Sequence, residues 1–138
     1  MEIKRINDQV SVSGQIRPDD VQAIKAAGFT VIVNNRPDGE APDQPSGAEI
    51  EAAAKAAGLE YRCIPLGRDG VTESMVDETR AVLEGSTGPV FCYCRSGTRS
   101  TTLWALSQAG ERDGEEIIAA ARNAGYDVSH LAEHLNRK

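Results

Sequence analysis

A thiol and two guanidinium groups, Cys94, Arg95 and Arg99, stand close together in the run Val90-Phe91-Cys92-Tyr93-Cys94-Arg95-Ser96-Gly97-Thr98-Arg99-Ser100. An apolar, β-prone stretch ends in Cys94, a loop of small residues follows, and a helix-like pattern runs on through Leu103, Trp104 and Leu106. A strand, loop and helix in this order aim several backbone N–H groups at one point and add the positive end of the helix dipole. A free cysteine titrates near about 8.5, and a helix N-terminus with nearby guanidiniums lowers that to roughly 3.5–7.5. Cys94 therefore reads as a thiolate nucleophile beside an anion site. Arg99 can fork onto two oxygens of a tetrahedral anion. Gly97 permits positive φ and a close backbone approach, and Arg95, Ser96, Thr98 and Ser100 complete the set of substrate-binding candidates.

Other residues invite a chemical reading. Asp69, in Gly67-Arg68-Asp69-Gly70, lies in a glycine-flanked loop after an expected strand and is the best-placed general acid. Its competing reading is a solvated turn residue. Arg36 also follows an expected strand and either adds positive charge to the same mouth or pairs with Asp38 or Glu40. Cys92 would share a strand face with Cys94 but is expected to pack in the core, as are Cys63 and Trp104. A disulfide between Cys63 and Cys94 under oxidation is the alternative for that thiol. His130 and His134 have metal-compatible spacing without a third ligand, and are expected on a helix surface.

The elements that must position these groups alternate. Strands are expected over Val10–Ser13, Phe29–Asn34, Leu59–Pro65 and Val90–Tyr93. Helices are expected over Arg17–Ala27, Ala48–Ala57, Thr72–Glu84, Ser100–Gln108, Asp113–Ala124 and Val128–Asn136. Asn35–Pro45, with three prolines, reads as loop. Alternation of this kind implies an α/β fold, a mostly parallel central sheet flanked by helices on both faces. Ligands then bind beyond the carboxyl ends of the strands, where Cys94 falls.

At 138 residues the chain is expected to form one domain, residues 1–138, with ordinary globular composition (40% hydrophobic, 26% charged). A net charge of −6 argues against a nucleic-acid surface. Three cysteines and an N-terminus unlike a signal peptide point to a reducing, cytoplasmic setting. No apolar run has membrane-spanning length, so no membrane partner is expected. The chemistry calls for no cofactor and no metal.

The segment Cys94–Ser100 resembles the active-site loop of single-domain rhodaneses, whose cysteine carries a persulfide sulfur. Val12-Ser13-Gly14-Gln15, Asn34-Asn35-Arg36-Pro37-Asp38-Gly39-Glu40 and Tyr61-Arg62-Cys63-Ile64-Pro65 resemble the bacterial beta-lactamase hydrolase-like, phosphatase-like domain family, also described as a sulfur-transferase family. That resemblance spans about Ile3 to about Leu106 and implies a protein-tyrosine-phosphatase-like fold. Cysteine phosphatases of that fold have five residues between cysteine and arginine. Here there are four, Arg95 to Thr98; Ser100 stands at the phosphatase arginine's place, and Tyr93 replaces the usual preceding histidine.

The shorter ring favours a rhodanese-like sulfurtransferase. Cys94 would take a sulfur from thiosulfate or a low-molecular-weight persulfide, Arg99 and the loop amides would hold the charge, and a thiol acceptor would remove the sulfur. Functional pairing with a persulfide-oxidising enzyme fits such chemistry. The alternative is a phosphatase acting on a phosphate ester, with Cys94 as nucleophile and Asp69 as acid. A third reading, of another class, is an anion-binding or redox-sensing module without turnover.

Overall fold

Short apolar runs bounded by turns build the centre of the molecule: β2 (Val10–Ser13), β3 (Val31–Asn34) and β5 (Val90–Tyr93). The computed structural model describes residues 1–136. With β1 (Lys4–Arg5) and β4 (Glu60–Cys63) these strands form one five-stranded sheet in the order β1-β2-β5-β3-β4. Every pairing is parallel except that of β1, a two-residue antiparallel edge too short to leave a period in the sequence.

Alternation along β5 divides the core. Val90 and Cys92 pack with Leu83 of α3 (Glu73–Gly85), Leu103 and Trp104 of α4 (Thr98–Ser107), Ile117 of α5 (Gly114–Asn123) and Leu135 of α6 (Ala132–Leu135). Phe91 and Tyr93 pack with Val21 and Ile24 of α1 (Val21–Ala26) and Ile50 and Ala54 of α2 (Gly47–Ala56). A strand buried on both faces reads as a continuous apolar run, which is why Val90–Tyr93 does. Among the described residues no helix is long and apolar enough to cross a membrane.

Register fixes where the chemistry sits. Ser13 and Asn34 both stand opposite Tyr93, so three parallel strands end level, with Cys94 next in the chain. The ladder runs one step further: the Cys94 N–H donates to the Ser13 carbonyl at 3.3 Å and the Asn35 N–H to the Tyr93 carbonyl at 2.8 Å.

Three helices and one thiol depart from the sequence reading. The helix expected over Arg17–Ala27 opens as a 3₁₀ turn, Pro18–Asp20, before α1. Asp20 closes on Arg17 twice, backbone N–H to carbonyl at 2.9 Å and side chain to N–H at 2.8 Å, which tightens that turn. Helix α4 begins at Thr98, not Ser100, because Gly97 turns the chain at φ +94°. The last helix is split. The Asp127 carboxylate accepts the Ser129 N–H (2.9 Å) and hydroxyl (2.6 Å), starting a 3₁₀ turn over Ser129–Leu131, with α6 after it. Finally, Cys63 is exposed, not a core thiol, because β4 is an edge strand of the sheet.

Candidate active site

Residues 94–97 form the loop between β5 and α4, and it is held shut from several sides. Cys94 is 1% exposed, and its sulfur accepts the Gly97 N–H at 3.1 Å. That bond requires Gly97 to turn back with positive φ, and it leaves the amides of Thr98, Arg99 and Ser100 in the first turn of α4, where no intrahelical acceptor exists. The loop thus presents backbone donors and a helix dipole beside the sulfur. Gly14 provides the close approach on the opposite side, since a Cβ there would lie 2.8 Å from the Arg95 carbonyl oxygen. The neighbouring Gln15 N–H donates to that same oxygen at 3.3 Å.

Asn35 ties the scaffold to the loop. Its side-chain N–H donates to the Ile64 carbonyl at 2.9 Å, while its Oδ1 accepts the Ser100 hydroxyl at 2.8 Å. Ser100 is therefore a buried tether, and its hydroxyl is not among the groups offered to a ligand.

Arg99 is held by Glu40, 59 positions away in the chain. Nη1 donates to Glu40 Oε2 and to the Leu66 carbonyl, and Nη2 to Glu40 Oε1, each at 2.8 Å. Glu40 also accepts from Arg36 Nε at 3.0 Å, and Arg36 Nη1 donates to Gln15 Oε1 at 3.0 Å. The hydrogen bonds from Arg99, and secondarily from Arg36, lower the Glu40 carboxyl from 4.5 to about 2. Glu40 is thus ionised at any neutral pH and sets the plane of the Arg99 guanidinium. Of the two readings of Arg36, the ion pair is observed, with Glu40, and Arg36 also lines a cavity that Arg95 borders.

Tyr126 closes the third side. Its hydroxyl donates to the Ser96 carbonyl at 2.9 Å and lies against Gly97, where a Cβ would come within 2.2 Å of the phenolic oxygen. Burial raises the Tyr126 phenol, and the neighbouring Cys94 charge raises it further. Nothing in the sequence pattern marked Tyr126. Glu40 lay inside a quoted motif, but no local pattern reveals a pairing over so many residues.

The remaining sequence-derived candidates separate. Arg95, Ser96 and Thr98 are exposed around the loop, with the Ser96 and Thr98 hydroxyls 3.2 Å apart. Asp69 is exposed on the loop that leaves Leu66, the residue whose carbonyl receives Arg99. Cys92 and Trp104 lie in the core, and burial pushes the Cys92 thiol up to about 12. His130 and His134 are exposed. Tyr93, at the position preceding the nucleophile, is buried with an unpartnered hydroxyl and a pKa raised by burial.

A mostly parallel sheet, a cysteine at its carboxyl edge, a ring of amides and an arginine opening the next helix define a cysteine-based, phosphatase-like protein. Residues 2–111 match the family described as beta-lactamase hydrolase-like protein, phosphatase-like domain, and the chain belongs to that family. It is 34% identical over 140 residues to the beta-lactamase hydrolase-like protein of Agrobacterium fabrum, aligning along all of this chain and 32% of that protein. The chain therefore spans about a third of the curated relatives it matches. A crystal structure described as a candidate phosphatase from Neisseria meningitidis superposes with a TM-score of 0.84 at 31% identity, covering 98% of this chain and 96% of that one. A mutant form of Tk-PTP shares the fold at a TM-score of 0.77 and 18% identity, over 97% and 93% of the two chains. The protein-tyrosine-phosphatase-like fold implied by the resemblance is the fold observed.

Proposed function

We propose that this chain hydrolyses phosphate monoesters through a phosphocysteine on Cys94. The observation that carries the reading is the Cys94 sulfur, bonded to the Gly97 N–H inside a ring whose Arg99 is clamped by Glu40. The Cys94 sulfur attacks phosphorus as the ester P–O bond breaks, and the leaving oxygen takes a proton from Asp69. Water then attacks phosphorus and gives its proton to the Asp69 carboxylate. The P–S bond breaks and returns the thiolate, with phosphate as product. The amides of the first turn of α4 and Arg99 hold the equatorial oxygens, whose charge grows in the transition state. Glu40, ionised down to about pH 2, cannot be the acid; Asp69, on the loop anchored at Leu66 beside Arg99, is the group assigned to that role.

Turnover of p-nitrophenyl phosphate tests this. We expect Cys94→Ser to abolish it, and Asp69→Asn to lower kcat by about 10²–10³ on esters with poor leaving groups. Turnover that survives Cys94→Ser overturns the assignment.

One observation favours a second reading, sulfur transfer: four residues, not five, separate Cys94 from Arg99. The thiolate would then attack the outer sulfur of thiosulfate, the S–S bond would break, and sulfite would leave with the electron pair. A thiol or cyanide acceptor would later take the sulfur from the Cys94 persulfide. Gain of one sulfur atom in the intact mass after thiosulfate treatment, absent in Cys94→Ser and removed by cyanide, in a protein that does not turn over p-nitrophenyl phosphate, would favour this reading over hydrolysis.

A further inference from the structure

Beside the nucleophile loop lies a second cavity of about 330 Å³, lined by Gln15, Arg17, Arg36, Asp43, Gln44 and Arg95 among others. Its charge runs against that of the chain. The whole sequence carries −6, yet three guanidiniums line this cavity and only one carboxylate, that of Asp43. Arg36 is 5% exposed and is fixed through Nε to Glu40 and through Nη1 to Gln15, so a held arginine forms part of the cavity wall. A buried arginine held at two of its nitrogens is preorganised, and its charge is fixed beside the cavity.

The cavity and the nucleophile share walls. Arg95 follows Cys94 directly and its carbonyl is held by Gln15, while Glu40 joins Arg36 on one side to Arg99 on the other. The cavity is bordered by the residue next to Cys94, so a substrate held on the sulfur has an arginine-lined space beside it.

We propose that this cavity is a subsite for a second anionic group of the substrate, a carboxylate or sulfonate a few bonds from the atom that reacts with Cys94. The inference rests on Cys94 being the nucleophile, and it deepens the functional reading by restricting its substrates. They are small and doubly anionic, with one charged group over the loop amides and the other in the arginine-lined cavity. Compact singly anionic substrates leave the second position empty.

The probes are two methanethiosulfonate reagents of similar size, one bearing a sulfonatoethyl arm and one a neutral hydroxyethyl arm. In each the Cys94 sulfur attacks the sulfenyl sulfur, a disulfide forms, and methanesulfinate departs with the electron pair. The rates at Cys94 are read by peptide mass, so the result does not depend on which activity the protein has. We expect Arg17→Gln to lower the anionic-to-neutral rate ratio about two- to fivefold, and Asp43→Asn to raise it. Arg62→Gln, which removes an equal charge from the exposed edge strand β4, controls for net charge. A ratio unmoved by Arg17→Gln, or lowered equally by Arg62→Gln, overturns the subsite. Failure of p-nitrophenyl phosphate turnover in the unmodified protein would instead count against the phosphatase reading, with the rate ratio still reporting on the cavity.

Discussion

Replacing Gly97 with alanine tests whether the ring around Cys94 is as tightly determined as its contacts imply. Gly97 sits at φ +94°, where a side chain costs about 1–2 kcal/mol. The added Cβ would also lie 2.2 Å from the Tyr126 hydroxyl and 2.9 Å from its ring carbon, so the tyrosine must move. Moving it costs the hydrogen bond to the Ser96 carbonyl, worth about 1 kcal/mol. Together these give a loss of about 2–3 kcal/mol, and for a chain of this length roughly a 10 °C fall in Tm. The displaced Gly97 N–H would no longer reach the Cys94 sulfur, so turnover should fall with stability. A double-mutant cycle with Tyr126→Phe separates the terms. Without the phenolic oxygen the shortest contact disappears, and Gly97→Ala should cost about 1 kcal/mol less in that background. Urea titrations of the four proteins supply the comparison. An equal cost in both backgrounds, or a cost under about 0.5 kcal/mol in the parent, would refute the idea that Tyr126 presses this loop into shape.

Three further outcomes follow from the same contacts. The Glu40 carboxyl, lowered from 4.5 to about 2 in the folded protein, contributes stability that is present above pH 4.5 and lost as pH falls toward 2. Thermal melts should show that acid loss in the parent and a weaker one in Glu40→Gln, and identical acid profiles would refute the clamp. Arg99→Lys keeps the charge but cannot make the two-point contact with Glu40, so kcat/KM should fall about 10²-fold or more while the fold persists by circular dichroism. Alkylation with iodoacetamide near pH 8 should modify exposed Cys63 and spare buried Cys92, whose thiol is raised to about 12, until denaturant is added. Early labelling of Cys92 in peptide maps would contradict its place in the core.

The parts legible in the sequence were those written in consecutive residues. Val90–Tyr93 announces a doubly buried strand, and Thr72 and Asp113 stand at expected helix starts, where their side chains cap the helices. The Cys94 loop was legible because its strand, small residues and helix are contiguous. Whatever depends on distant contacts was not. Glu40 could be seen, but its grip on Arg99 could not; Ser100 looked available to a ligand until Asn35 took its hydroxyl. Cys63 read as core because its neighbours are strand-like, yet burial of a strand depends on its place in the sheet, and β4 lies at the edge. The preference for sulfur transfer came from the rhodanese-like loop and its four-residue spacing, and the phosphatase-like relatives shift the weight to hydrolysis.

The hydrogen bond from Tyr126 to Ser96 also carries a consequence for how the protein is made. Tyr126 lies beyond residue 111, where the family match ends, and is translated well after the cysteine whose loop it supports. While the chain is still growing, β2, β3 and β5 can pair and Cys94 can reach its strand end, but the wedge against Gly97 has not emerged from the ribosome. The nucleophile's ring thus depends on a residue translated after it. A chain cut short before Tyr126 would keep Cys94 and Arg99, yet lack the hydroxyl that holds the Ser96 carbonyl between them.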